Sequence, residues 1–198
     1  REFPFIDPPG SHSIRQGEKL LRELGAVTDN MQLTPLGREM AILPIEPQTA
    51  RMLLQAHQET VLSEMLVIAA GLSIQDPRDF PADEKEKARQ MHSSFVSRES
   101  DYITLLSIWR AYQAQWDELK TENKMRKFCR QHFLSFVRMR EWRDIHHQLS
   151  SILKDSGKYL IKSLQALPVV EARPEDSNGK KVARFKLNRP AKEETKSR

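Results

Sequence analysis

The apolar positions between Ile14 and Leu24 recur at helical spacing and predict the first helix of the chain. Ser11 or Ser13 is suited to cap its start, because a short side-chain oxygen can accept a hydrogen bond from a free backbone N–H group there. Gly25 follows as a stop, since glycine readily adopts the left-handed conformation that ends many helices.

Two short strands are predicted around the turn residues Asp29-Asn30, over residues 26–28 and 31–33. Thr34-Pro35 then predicts a second helix that runs to about Leu43, with Thr as N-cap and Pro at the first helical position. A third helix begins near Pro47. Three short helices with a small strand pair indicate a winged helix, although a small helical bundle gives a similar pattern.

The middle of the chain predicts a set of packed helices. Residues 59–73 are apolar on nearly all sides, which is typical of a helix buried by several neighbours. Residues 82–92 predict a charged, exposed helix. Ser100 is a good N-cap for a helix over 101–116, whose apolar residues keep a spacing of three to four. The polar residues 117–123 predict a loop.

Residues 124–149 predict one long amphipathic helix. At 100° per residue, Lys127, Arg130 and Arg138 gather on one side, within about 80° of each other. The opposite, apolar face is formed by Met125, Phe128, Cys129, Phe133, Phe136 and Met139.

Charge divides the chain into an acidic first part and a basic remainder. Residues 121–155 carry 8 Lys and Arg against 4 Asp and Glu, and residues 156–198 carry 11 against 5. A one-sided basic region suits a polyanion such as nucleic acid, but a solubilising tail beside an ordinary charged helix face explains it equally well. In this tail, residues 182–187 alternate as a short strand would, and residues 189–198 have the composition of a disordered segment.

Several kinds of chemistry find no support in the sequence. A phosphate-binding loop needs Gly-Lys-Ser/Thr, but Gly157-Lys158 is followed by Tyr159, so we expect no ATP site and no catalytic residues. The single cysteine, Cys129, excludes an internal disulfide and favours a buried structural thiol in a reducing, cytoplasmic setting. The scattered histidines predict no metal site, and no apolar run is long enough to span a membrane.

The order of five sequence motifs resembles the DEAH/RHA family of RNA helicases. The chain lacks an initiator Met and reads as a piece cut from a longer protein. The resemblance covers roughly residues 3–153 and is closest, in the last motif, to the bacterial HrpA type. The motifs are FPFIDPPG (3–10), LGAV with LTPLGREMAILPIEPQTARMLL (24–27 and 33–54), EMLVIAAGLSIQDPRDFP (64–81), SDYITLLSIWRAY (100–112) and FCRQHFLSFVRMREWRDIHHQL (128–149).

This resemblance implies a mainly α chain in which a winged helix packs against a helical-bundle "ratchet" domain. We expect the winged helix over residues 1–58, the ratchet (HA2) domain over 59–155, and a short irregular or β basic tail over 156–198. An OB-like domain usually follows in the family, but the tail is too short for its five strands.

The resemblance also implies a function, as one wall of a channel for single-stranded RNA. ATP and Mg²⁺ would be bound by the RecA-like motor domains of the same parent protein, with no cofactor in this chain and no membrane partner. Trp109, Tyr112, Trp116 and Trp142 offer faces for base stacking, but their helical spacing favours core packing. The candidate phosphate contacts are Arg126, Lys127, Arg130, Arg138 and Arg143, for which a solvated face or a pair with Glu141 or Asp144 is the alternative.

Two other functions remain open. A protein-docking module for a helicase activator would use an apolar groove formed by Leu33, Leu36, Met40 and Leu43, although core packing explains these residues equally well. A free-standing DNA-binding regulator is less favoured, because its recognition helix over 47–58 would hold Arg51 as its one Lys or Arg.

Overall fold

A computed structural model describes residues 7–98, 100–119, 121–161 and 164, all but the last within one compact unit over residues 1–162. Most of the predicted basic tail, 156–198, lies outside the described residues. The mainly α class is confirmed, since the described part contains helices joined by turns and isolated bridges. The helices are α1 (Ser11–Glu23), α2 (Pro35–Ala41), α3 (Pro47–Gln58), α4 (Leu62–Leu72), α5 (Lys85–His92), α6 (Asp101–Leu119), α7 (Glu122–Gln131) and α8 (Phe136–Asp155).

The start of α1 and the predicted strand pair differ from expectation. Gly10 occupies the N-cap position without a side-chain bond, so neither Ser11 nor Ser13 caps the helix. The strand pair is reduced to a single antiparallel bridge between Val27 and Leu33. Met31 has φ +60°, which makes the turn so tight that little length remains for strands.

The helix α2 begins as its sequence predicts. Thr34 Oγ1 accepts a hydrogen bond from Gly37 N at 2.9 Å, and Pro35 occupies the first turn. The same hydroxyl donates to Gly25 O at 2.7 Å and so ties the end of α1 to the start of α2. The helix ends at Ala41, two residues before the predicted end at Leu43.

The core is built around α4, which packs against α3, α6 and α8. Its residues are buried on nearly all sides, as the continuous apolar pattern predicts; Leu66, Val67, Ala69 and Ala70 have no exposed surface. Through these contacts, α4 joins α3 to the helices that follow.

The charged helix α5 and the long helix α6 follow the predicted pattern with changed limits. α5 is shorter than the predicted 82–92, and it buries Ala88 and His92 against the rest of the fold. α6 continues to Leu119, so part of the predicted loop is helical. Ser100 caps α6 through a bond from Tyr102 N to its Oγ at 3.1 Å.

The prediction of one helix over 124–149 is wrong. α7 ends at Gln131, α8 begins at Phe136, and Phe133 between them has φ +52°. The carbonyl of Phe133 is directed away from the helix and accepts bonds from Asp79 N at 2.8 Å and His92 Nε2 at 2.9 Å. These bonds from the α4–α5 loop and α5 replace the helical hydrogen bonds that the break removes.

Candidate nucleic-acid interface

The break after α7 divides the five predicted phosphate-binding residues between two helices. Arg126, Lys127 and Arg130 lie on α7, while Arg138 and Arg143 lie on α8. The single cationic stripe expected from one continuous helix is therefore not formed. Each residue has to be judged by the neighbours that it contacts.

The three cations of α7 share its exposed side. This helix buries Met125 and Cys129, so that its apolar side faces the core and its polar side faces solvent. Arg126, Lys127 and Arg130 are exposed, and their i,i+3 and i,i+4 spacing makes them neighbours on the helix surface.

Lys124 adds a fourth exposed cation that sequence reasoning missed. Its i,i+3 spacing from Lys127 is the signal that would have found it. We call Lys124, Arg126, Lys127 and Arg130 the α7 cationic face.

The residues of the α7 cationic face differ in the contacts that they make within the protein. The Arg126 guanidinium lies over the Phe136 ring, 4.4 Å from its centroid, and 3.7 Å from Glu122 Oε2. Lys127 and Arg130 make no ion pair with the part of the chain that the structure describes. Their charges are thus open to an anionic ligand.

Arg138 is engaged in a contact between distant segments. Its Nη1 donates to the Asp76 carbonyl at 2.9 Å and to Asp79 Oδ1 at 3.2 Å, and its side chain is 33% exposed. Ser135 N donates to the Pro77 carbonyl at 2.8 Å beside it. We call this group, residues 76–79 with 133–135 and Arg138, the loop clasp.

Arg143 is packed against an aromatic ring. Its guanidinium lies 4.2 Å from the centroid of Trp116, its Nη2 is 3.6 Å from Asp144 Oδ1, and its side chain is 17% exposed. An arginine over an indole gains cation–π stabilisation and covers apolar surface at the same time.

Three of the four aromatic residues considered for base stacking belong to the core, as their spacing favours. Trp109, Tyr112 and Trp142 are 1% exposed or less. Trp142 Nε1 also donates to the Val67 carbonyl at 2.9 Å, which satisfies its polar atom inside the protein. Trp116 is half-buried and carries Arg143 on its ring.

Cys129 is buried, His146 is half-buried, and both favour their neutral forms. Burial raises the pKa of the Cys129 thiol to about 12, which agrees with a structural residue rather than a nucleophile. Burial first, and the neighbouring His147 second, lower the pKa of His146 to about 4. Within the described ranges, no cluster of three or more metal-ligating side chains occurs.

The apolar groove considered for protein docking is only partly present. Met40 and Leu43 are 6% and 5% exposed and belong to the core. Leu33 is 52% exposed, and Leu36 is half-buried. Arg51, the one cation considered for DNA reading, donates to Gln55 Oε1 at 2.9 Å. None of the helices in the described part is long and apolar enough to cross a membrane.

Family comparison identifies the class to which this fold belongs. The helicase-associated domain (HA2) family matches in two parts, its winged-helix model at residues 17–45 and its ratchet-like model at residues 46–135. Together these matches cover more than half of the chain. The chain therefore belongs to the helicase-associated HA2 family, and the resemblance seen in the sequence is confirmed.

Individual relatives are RNA helicases of much greater length. The chain is 38% identical over 160 residues to the ATP-dependent RNA helicase HrpA of Escherichia coli (strain K12), a match covering 78% of the chain and 12% of the relative. It is 38% identical to the HrpA homolog of Haemophilus influenzae, over 77% of the chain and 12% of that protein. The putative ATP-dependent RNA helicase DHX57 of Mus musculus is 33% identical over 88% of the chain and 12% of its own length. The chain thus spans about 12% of the length of these relatives.

Proposed function

We propose that the chain is an RNA-binding accessory region of an ATP-dependent DEAH-box RNA helicase. It forms part of the channel for single-stranded RNA and is coupled to RecA-like motor domains elsewhere in a longer protein. Membership of the HA2 family and relatives that are ATP-dependent RNA helicases support this role. The division into a winged helix (1–58), a ratchet domain (59–155) and a basic tail (156–198) is part of the same proposal.

The observation that carries the proposal is the α7 cationic face. Binding of a single strand without base preference relies on cationic side chains that neutralise successive phosphates. Lys127 and Arg130 are exposed and have no carboxylate partner among the described residues, so an incoming phosphate displaces no existing ion pair. These two residues are therefore the strongest candidates for phosphate contacts.

The other three candidates bind RNA only if they share or exchange their present contacts. Arg126 is 51% exposed and can reach a phosphate while it stays over Phe136. Arg138 and Arg143 are more deeply buried, and each already has an acidic neighbour. We rank them below the α7 residues.

The first prediction concerns the salt dependence of RNA binding. A Lys127→Gln/Arg130→Gln double variant should bind labelled single-stranded RNA more weakly. The slope of the logarithm of the association constant against the logarithm of the salt concentration should also become shallower, by about 0.7 for each phosphate that the variant no longer neutralises. Fluorescence anisotropy titrations over a salt series measure both the affinity and the slope.

The control for this variant lies on α5. Lys87→Gln/Arg89→Gln removes the same two charges where they pair with Glu84 and Glu86, at 2.8 and 3.4 Å. Equal slopes for the two double variants would mean that net charge, and not the α7 cationic face, governs binding, and the proposed site would be abandoned.

Nucleotide chemistry belongs, in this proposal, to the motor domains of the longer protein, which would bind ATP and Mg²⁺. The present chain should not hydrolyse ATP, with or without RNA. A coupled phosphate-release assay tests this expectation, and turnover by the purified chain would contradict it.

A second candidate function is docking of an activator protein on the winged helix. The observation in its favour is the exposure of Leu33 and Met31, 52% and 38%, in the tight turn beside Leu36. A Leu33→Asp variant should then lose binding of the activator protein in a pull-down assay and keep its RNA affinity. Partner binding unaffected by this substitution would exclude the docking surface.

A further inference from the structure

The chain turns back towards the winged-helix region after α8. Gly157 has φ +69°, a conformation that glycine adopts without strain, and the next residues reach α2 and α3. Lys158 Nζ pairs with Glu39 Oε1, while the Tyr159 hydroxyl donates to Glu39 Oε2. One carboxylate on α2 therefore binds two consecutive side chains that are about 120 residues away in sequence.

The Tyr159 ring adds a contact with α3. It meets the His57 ring edge-on, with 5.0 Å between the centroids and 80° between the planes. Lys158 and Tyr159 also form one side of a cavity of about 250 Å³, whose other walls include Leu36, Leu54 and Arg51. The segment thus covers a groove between α2 and α3.

The charges around Glu39 favour the closed arrangement. The hydrogen bond from Lys158, followed by the one from Tyr159, lowers the pKa of the Glu39 carboxyl, so the carboxylate is ionised at neutral pH. Arg51 lines the same cavity and adds a positive charge. The attachment therefore depends on an ion pair and directional hydrogen bonds to Glu39, and not only on apolar contact.

The surroundings of this segment also allow it to detach. The Lys158 side chain is 63% exposed and Leu160 is 73% exposed. Within the described residues, 159–161 make no backbone–backbone hydrogen bond. Exposed ion pairs contribute little to stability, and segments with few buried contacts open without unfolding of the whole protein.

We propose that residues 157–160 form a reversible latch with Glu39 as its receptor. When the latch is closed, it holds Lys158 and Tyr159 against α2 and α3. When it is open, these residues leave Glu39, and the groove lined by Leu36, Leu54 and His57 is uncovered. The latch is a conformational device that does not depend on RNA binding.

The test uses Lys158 itself as the probe, in the full 198-residue chain. Trypsin cleaves after Lys158 only when this side chain leaves Glu39 and enters the protease, so the cleavage rate reports latch opening. Glu39→Gln should raise this rate about fivefold or more, the factor expected for the loss of a charge-assisted pair of bonds. Tyr159→Phe should raise it less, because the ring contact with His57 remains.

Two references make the result decisive. Glu141→Gln makes the same chemical change at an exposed position on α8 and should leave the rate unchanged. Cleavage after Arg110, in the middle of α6, reports opening of the whole fold. The latch is refuted if Glu39→Gln matches Glu141→Gln at Lys158. It is equally refuted if Glu39→Gln raises the cleavage rates at Lys158 and Arg110 in parallel, because the contact with Glu39 would then be part of the cooperative fold.

Discussion

Gly71 allows α4 and α8 to approach each other closely. A Cβ atom at this position would lie 2.6 Å from Trp142 Cζ2. The indole cannot easily move away, because Trp142 is fully buried and its Nε1 bonds to Val67 O. A glycine inside this apolar helix therefore has a packing role, although glycine lowers intrinsic helix stability.

Gly71→Ala should lower the free energy of unfolding by about 1–3 kcal/mol, the usual effect of one extra methyl group in a well-packed core. Urea denaturation followed by circular dichroism measures this change. Gly17→Ala on α1 is the matched control, because among the described residues no atom beyond its chain neighbours and its own helix backbone lies within 4 Å of its Cβ position. It should be neutral or stabilising by up to about 1 kcal/mol. Equal effects of the two substitutions would contradict the packing role.

At the residue scale, the sequence predicted which side chains are buried better than it predicted which residues they contact. Helical spacing correctly placed Trp109 and Trp142 in the core, because an apolar face has only one stable environment. The same spacing placed Arg138 on a polar face, and Arg143 was a candidate phosphate contact, but the sequence could not show that Asp79 and Trp116 lie opposite them. Those neighbours come from other helices and loops, and their approach depends on the tertiary fold.

At the element scale, two helix starts were predicted from their capping residues. Thr34-Pro35 and Ser100 fixed the starts of α2 and α6, because capping is a local interaction within a few residues. The break between α7 and α8 was missed because residues 132–135 contain neither Gly nor Pro. The bonds that stabilise Phe133 in its left-handed conformation come from Asp79 and His92, which are distant in sequence.

The loop clasp should depend on Arg138. Arg138→Gln removes its bonds to the Asp76 carbonyl and the Asp79 carboxylate, and should lower the free energy of unfolding by about 1–2 kcal/mol, given its partial exposure. Guanidinium denaturation measures the loss.

Arg140→Gln, two residues further along α8 at an exposed position, is the control and should have almost no effect. If Arg138→Gln is as stable as Arg140→Gln and instead lowers the salt slope of RNA binding, then Arg138 acts as a phosphate contact and the clasp does not need it.

At the scale of the whole molecule, we expect the contact between α3 and α4 to make the helices up to α3 and the later helices unfold together. Leu53 on α3 has no exposed surface, and Leu53→Ala should cost about 2–5 kcal/mol. All three tryptophans lie on α6 and α8, so their fluorescence reports the later helices, while circular dichroism reports every helix. The two signals should give the same denaturation midpoint in both the native chain and the variant.

Separate midpoints for fluorescence and circular dichroism would show that the helices up to α3 unfold independently of the later helices. In that case, Leu53→Ala would shift the circular dichroism signal and leave the tryptophan signal in place. Leu33→Ala, at an exposed position in the tight turn, is the control and should shift neither midpoint appreciably.

The all-round apolar character of α4 has a practical consequence for anyone who wishes to shorten this protein. A fragment that begins at residue 59 would keep α4 but lose α3, so the apolar side of α4 that packs against α3 would be exposed to water. Such a fragment would aggregate during expression. Truncations intended for crystallography or binding assays should therefore retain α3 together with α4.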